Sequence, residues 1–231
     1  MHWEVVTENL RYFMIGSYPR EPLGGLGLSI YLALVASILA FFLGCLLGLC
    51  RLSKQPLLRI PASIYIEVVR GVPLLMLICW LYFFIPIMFG KTIPEARSAL
   101  FAFILFSAAY MAEIVRAGVI SIPGGQMEAA RSTGLTHAQT MIYIILPQAF
   151  RNMIPSFVNQ FVSLTKDTSL AYIIGVNELT YVATKVMNRT MNAPAEIFIF
   201  IAIVYFILCY GLTSASRWIE KRISAGRKQI G

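Results

Sequence analysis

Apolar residues along this chain come in long, nearly uninterrupted runs. The clearest extends from Leu26 to Cys50 without a charged side chain, long enough at ~1.5 Å per residue to cross ~30 Å of hydrocarbon. A second uncharged run, Gly71 to Gly90, follows a lead-in from Leu57 to Arg70. A third extends from Ser98 to about Ala112 and a last from Ile197 to Ala215. Between the third and the last lies a composite stretch: Asn152–Thr165 reads as apolar, Lys166-Asp167 interrupts it, and Thr168–Val176 continues. In the first run Ala36, Ala40, Gly44 and Gly48 recur at four-residue steps, a small-residue ridge that lets another helix approach closely. Ahead of it Trp3, Val6, Leu10 and Phe13 fall on one helical face. That pattern suits a short helix lying along the outer surface or a frayed terminus.

Charge orients the runs. The tail carries Arg217, Lys221, Arg222, Arg227 and Lys228 against Glu220 alone, and the loop after the first run carries Arg51, Lys54 and Arg59 with no acid. Basic loops stay in the cytoplasm, so an even number of crossings must separate these two. Counting the composite stretch gives four. The expectation is an all-α membrane protein of five transmembrane helices, N-terminus outside and C-terminus cytoplasmic. Its parts are an outer-side segment at 1–25, a five-span domain at 26–218 with a cytoplasmic loop at 117–150, and a basic tail at 219–231. The acidic Glu4, Glu8 and Glu21 ahead of the first run, and its length, exclude a signal peptide.

Composition agrees. Of 231 residues, 58% are hydrophobic and 13% charged, against roughly 25% charged in soluble domains, which excludes a soluble enzyme, a disordered chain and a fibrous repeat. The net charge of +8 follows the membrane and implies no nucleic acid. Cys45, Cys50, Cys79 and Cys209 sit inside apolar runs without a CxxC pair, so neither a disulfide framework nor a metal site is expected. Gly90-Lys91-Thr92 imitates the end of a phosphate-binding loop, but Ile85 stands where that loop needs glycine. His2 and His137 are far apart, and no triad or carboxylate pair is evident, so no catalytic residue is expected.

The segment Arg116–Arg151 is more structured than a connector requires. Pro123-Gly124-Gly125 breaks the preceding helix, Gln126–Thr133 can form two helical turns, and Gly134 occupies the left-handed C-terminal cap. Thr136-His137-Ala138-Gln139 reads as a capping box, opening a second helix, His137–Leu146, that is expected to stop at Pro147. Glu128 and Arg131 share a face, while Ala129 and Ala130 leave room for a partner's side chains. Architecture alone fits a hairpin on the membrane surface equally well.

Glu128-Ala129-Ala130, Gly134 and Ile145-Leu146-Pro147 resemble the EAA loop of the membrane subunits of ABC importers. The segments Glu67–Leu75, Ala109–Gly118, Gly125-Gln126, Leu146–Ala149 and Lys166–Leu170 narrow the resemblance to permeases for polar amino acids, of the glutamate/aspartate or glutamine type. It covers about Gly25 to Trp218. It implies a type I importer permease in a bacterial plasma membrane, crossing it several times in contact with lipid. Its partners would be a second permease, identical or related, two ATP-binding subunits and an extracytoplasmic amino-acid-binding protein. ATP and magnesium would sit on the partner subunits, with no cofactor on this chain. By the same resemblance Gln126, Glu128, Ala129, Ala130, Arg131 and Gly134 would couple to the ATP-binding subunit. The rival reading is an ion channel or structural subunit without such a partner.

Ionisable residues inside the runs each cost ~2.5 kcal/mol or more at mid-bilayer and are functional candidates by default. Glu67/Arg70 and Glu113/Arg116 are E-x-x-R pairs on one helical face, which suits internal pairing. Lys166 and Asp167 lie ~22 Å along a helix from Arg151, and as neighbours their side chains diverge by ~100°. With Thr168 and Ser169 they interrupt an apolar segment, where transporters build sites. Lining a path and pairing with a neighbouring span both fit. Pro73 should kink the second span beside Arg70. Glu67, Arg70, Lys166, Asp167, Thr168 and Ser169 are therefore the candidate substrate path.

Overall fold

A computed structural model describes residues 2–191 and 193–227, with side chains as far as Trp218. The side chains of the basic tail expected at 219–231 lie outside the described residues. Among those described, the chain is helical throughout; a single parallel bridge joins Gly25 and Glu178.

Two short helices, α1 (Glu4–Glu8) and α2 (Leu10–Ile15), precede α3 (Gly25–Leu52). Val6 and Phe13 are buried, whereas Trp3 and Leu10 are exposed, so only half of the expected apolar face is used. Then come α4 (Pro56–Gly71), α5 (Leu74–Cys79), a π-helical stretch Trp80–Phe84 and α6 (Ile85–Phe89). The helix α7 (Glu95–Ile120) is followed by α8 (Gly124–Ser132) and α9 (His137–Thr140). A second π-helical stretch, Met141–Ile145, leads into α10 (Leu146–Asp167), which continues as a 3-10 segment Thr168–Ile174. The chain closes with α11 (Leu179–Thr190) and α12 (Pro194–Arg227).

Among the described residues α3, α7 and the Pro194–Trp218 part of α12 are long and apolar enough to cross a membrane, and α4 with Leu74–Phe89, bent by 106° at its break, has the length and composition of a broken span or a re-entrant loop. The bend replaces the expected kink. Val72 and Pro73 are extended, and Pro73 caps α5 instead of sitting inside a helix.

The core is the α3–α7 contact. Ala36, Ala40, Gly44 and Gly48 are all buried. A Cβ at Gly44 would stand 2.6 Å from that of Met111, and one at Gly48 would stand 2.7 Å from that of Val115. The ridge therefore has its partner in α7, and the absence of side chains is what permits the approach.

The expected stop at Pro147 does not occur. The π-helical turn Met141–Ile145 shifts the hydrogen-bond register, and Pro147 falls in the first turn of α10, where its missing N–H costs nothing. His137 to Ile174 is thus one helical rod of changing pitch.

Glu178 ties the far end together. Wholly buried, it accepts from the N–H groups of Thr180 (2.9 Å) and Tyr181 (2.8 Å), capping α11, and from the Tyr205 hydroxyl of α12 at 3.1 Å. The Ser29 hydroxyl of α3 reaches it at 3.5 Å and accepts from Leu179 N–H at 3.2 Å.

Candidate functional site: a polar stripe beside a broken helix

The helix α10 is strongly two-faced. At ~100° per residue, Asn152, Ser156, Asn159, Gln160, Ser163, Lys166 and Asp167 fall within an arc of roughly 120°. Asn152, Ser156, Asn159 and Lys166 are exposed and the other three half-buried. The remaining circumference carries Met153, Val162, Leu164 and Thr165, all buried, with Phe157 packed against Phe41 at 5.1 Å. A polar stripe therefore extends almost the whole length of the helix. The apolar expectation for Asn152–Thr165 misses it because averaged hydropathy hides polar residues that return every third or fourth position; that period was the legible signal. Lys166 and Asp167, adjacent and divergent, sit on opposite edges of this one arc.

At its α7 end the stripe opens into a cavity of about 490 Å³ lined by Asn152, Ser156 and Gln160 together with Arg70, Tyr110 and Glu113. The break after Gly71 brings Arg70 here. Its guanidinium lies 3.5 Å from Glu113 and 5.5 Å from the centre of the Tyr110 ring. Glu113 also takes Arg51 at 3.3 Å and Arg116 Nε at 2.9 Å. The expected Glu113/Arg116 pair is present, whereas Glu67 turns to Arg51 (2.8 Å) and is not paired with Arg70 among the described residues. One carboxylate thus serves three guanidinium groups. Its acceptor capacity is filled, and Arg70 keeps donors toward the cavity.

Of the other candidate path residues, Lys166 is exposed and has no hydrogen bond or ion pair among the described residues. Thr168 is buried and its hydroxyl donates to the Thr165 carbonyl at 2.8 Å, while Ser169 is half-buried in the 3-10 segment. Neither of these two hydroxyl residues lines the cavity.

The α8 region stands apart from this stripe. Gln126, Glu128, Ala129, Arg131 and Gly134 are exposed, but Ala130 is buried against its own chain, so Ala129 alone of the two alanines offers a docking surface. Gly134 has φ +88°, with Arg131 Nη1 donating to the Leu135 carbonyl at 2.9 Å across the turn. The capping box forms: Gln139 N–H donates to the Thr136 hydroxyl at 3.3 Å and Thr136 N–H to the Gln139 side chain at 2.8 Å. Rigid capping on both sides of Gly134 joins α8 to the rod that carries the stripe.

Residues 26–225 match the family described as binding-protein-dependent transport system inner membrane component. The chain belongs to this family. This permease is 38% identical over 214 residues to the probable glutamine ABC transporter permease protein GlnP of Bacillus subtilis (strain 168), covering 90% of this chain and 98% of that one. It is 39% identical over 200 residues to the L-cystine transport system permease protein TcyB of the same organism, covering 87% and 85%. The crystal structure of an amino acid ABC transporter with histidines superposes with a TM-score of 0.88 at 32% identity, over 96% of this permease and 99% of that chain. An ion channel or unpartnered structural subunit gives way to a transport permease.

Proposed function

We propose that this permease is the membrane subunit of a type I, ATP-driven importer for a polar amino acid, of the glutamine or glutamate/aspartate kind, in a bacterial plasma membrane. The observation that carries the reading is the continuity of one helical rod. It begins beside α8 and Gly134 and bears the polar stripe and cavity wall along its length. Polar groups at membrane depth avoid lipid, so the stripe faces an aqueous route or a second permease. A movement imposed on α8 passes through the capped turn at Gly134 into the rod and along it to Asn152, Ser156 and Gln160.

The α10 helix supplies the fifth crossing: from Leu146 it extends ~33 Å at 1.5 Å per residue, and Arg151, Lys166 and Asp167 explain why hydropathy alone passes it over. On this reading the N-terminus lies outside and the tail in the cytoplasm, with domains at 1–25, 26–218 and 219–231. Two ATP-binding subunits, holding ATP and magnesium, dock at Gln126, Glu128, Ala129, Arg131 and Gly134, with Ala130 shaping α8 from within. An extracytoplasmic binding protein delivers the amino acid to the opposite end. Arg70, Lys166 and Asp167 belong to the path; Glu67 holds Arg51, and Thr168 and Ser169 shape the turn out of α10.

Gly134→Val tests the coupling. A Cβ there would meet nothing of this chain within 4 Å, so within the permease the cost arises from φ +88°, roughly 1–2 kcal/mol or more for a β-branched residue. The purified complex should lose substrate-stimulated ATPase while the permease still inserts. Wild-type stimulation and transport in this variant would remove α8 from the mechanism.

A further inference from the structure

We infer that the path sorts amino acids by charge, admitting those with a free carboxylate and a neutral or acidic side chain and rejecting cationic ones, with Lys166 as the residue that does so. The inference deepens the reading of this chain as an amino acid permease and rests on it. Along the stripe the charged groups are Lys166, Asp167 and, in the cavity, Arg70 with Glu113. Glu113 is engaged by Arg51, Arg70 and Arg116 at once, which leaves it little to offer a substrate ammonium or guanidinium. Asp167 is half-buried at the edge of the arc. Lys166 is exposed and unpaired among the described residues, and Arg70 keeps part of its guanidinium open to the cavity. The exposed charged groups are therefore cationic at both stations, with Asp167 set deeper beside Lys166.

The spacing supports a handover. Lys166 lies six residues beyond Gln160, the upper wall of the cavity, or ~9 Å along the helix. A carboxylate released by Lys166 therefore passes along the stripe to the cavity that Arg70 lines. Asn159, Gln160 and Ser163 between them supply neutral donors and acceptors for the amine and side chain. A second cation on the solute meets Lys166 and Arg70 with only the half-buried Asp167 to offset the repulsion, whereas a second carboxylate gains from both cations.

The test is equilibrium binding of radiolabelled L-glutamine to the purified complex of permease and ATP-binding subunits without the binding protein, with L-glutamate and L-arginine as competitors. Glutamate should compete and arginine should not. Lys166→Glu should weaken glutamate at least about tenfold, and more than glutamine, with Lys166→Met in between. The methionine variant keeps the stem of the side chain and carries the comparison if the charge reversal does not assemble. Arginine competing as well as glutamate, or glutamate affinity unchanged in both variants, would overturn the charge selection and leave amino acid transport standing. Binding of none of the three would overturn both.

Discussion

The guanidinium of Arg70 stands 3.5 Å from the carboxylate of Glu113. That contact ties the end of α4, where the second span turns through 106°, to the helix that packs most closely on α3. The break is therefore held in place, and the cavity beside it keeps a fixed wall.

Because three arginines converge on Glu113, its removal should cost more than the loss of any one of them. Glu113→Gln leaves like charges facing one another in a partly buried site, and a destabilisation of about 1–3 kcal/mol follows. Thermal unfolding of the detergent-solubilised permease should show Arg70→Gln and Arg51→Gln less harmful alone. Either should partly rescue Glu113→Gln in a double-mutant cycle. Strictly additive effects would mean that the network is not coupled.

Gly44 is a packing requirement. Besides Met111, a Cβ there would stand 2.9 Å from the Ala108 carbonyl oxygen, which is backbone and cannot step aside. Gly44→Leu should force α3 from α7 and cost roughly 1–3 kcal/mol or more. Ala36→Gly adds no volume and should cost only about 1 kcal/mol through helix propensity. A wild-type melting temperature for Gly44→Leu would refute the close approach.

Five crossings predict the sidedness of three reporters. Single cysteines at Ser53 and Ser224 should react only from the cytoplasm, and one at Thr190 only from outside. Labelling of position 190 from the same face as position 53 would show that α10 does not cross.

Much of this was legible in the residues, and what was not has identifiable causes. The small-residue ridge, the capping box and the left-handed Gly134 are local: each needs only a few neighbours to fix it, and each forms as its spacing implies. The stop at Pro147 failed because a π-helical turn moved that proline to a first-turn position, a register shift no local pattern announces. The Glu67/Arg70 pairing failed because spacing along one helix says nothing of Arg51, which approaches from another. The expectation placed on Thr168 weighed its hydroxyl without the Thr165 carbonyl that occupies it. Glu178 escaped notice altogether: its partners Ser29 and Tyr205 are 149 and 27 residues away in the chain. The stripe on α10 was present in the sequence as a period, concealed by its average hydropathy.

The central claim, that the polar face of α10 lines the translocation route, is tested most directly by cysteine accessibility in the assembled transporter. With Cys45, Cys50, Cys79 and Cys209 replaced, single cysteines are placed at Asn159 and Ser163 on the stripe and at Val158 and Phe161 away from it. A small hydrophilic thiol reagent should modify the first two, and transported amino acid should slow that reaction, while the second two stay unreactive under the same conditions. Reaction at Val158 and Phe161, slowed by transported amino acid, with Asn159 and Ser163 unreactive would place the route on another face and contradict the account.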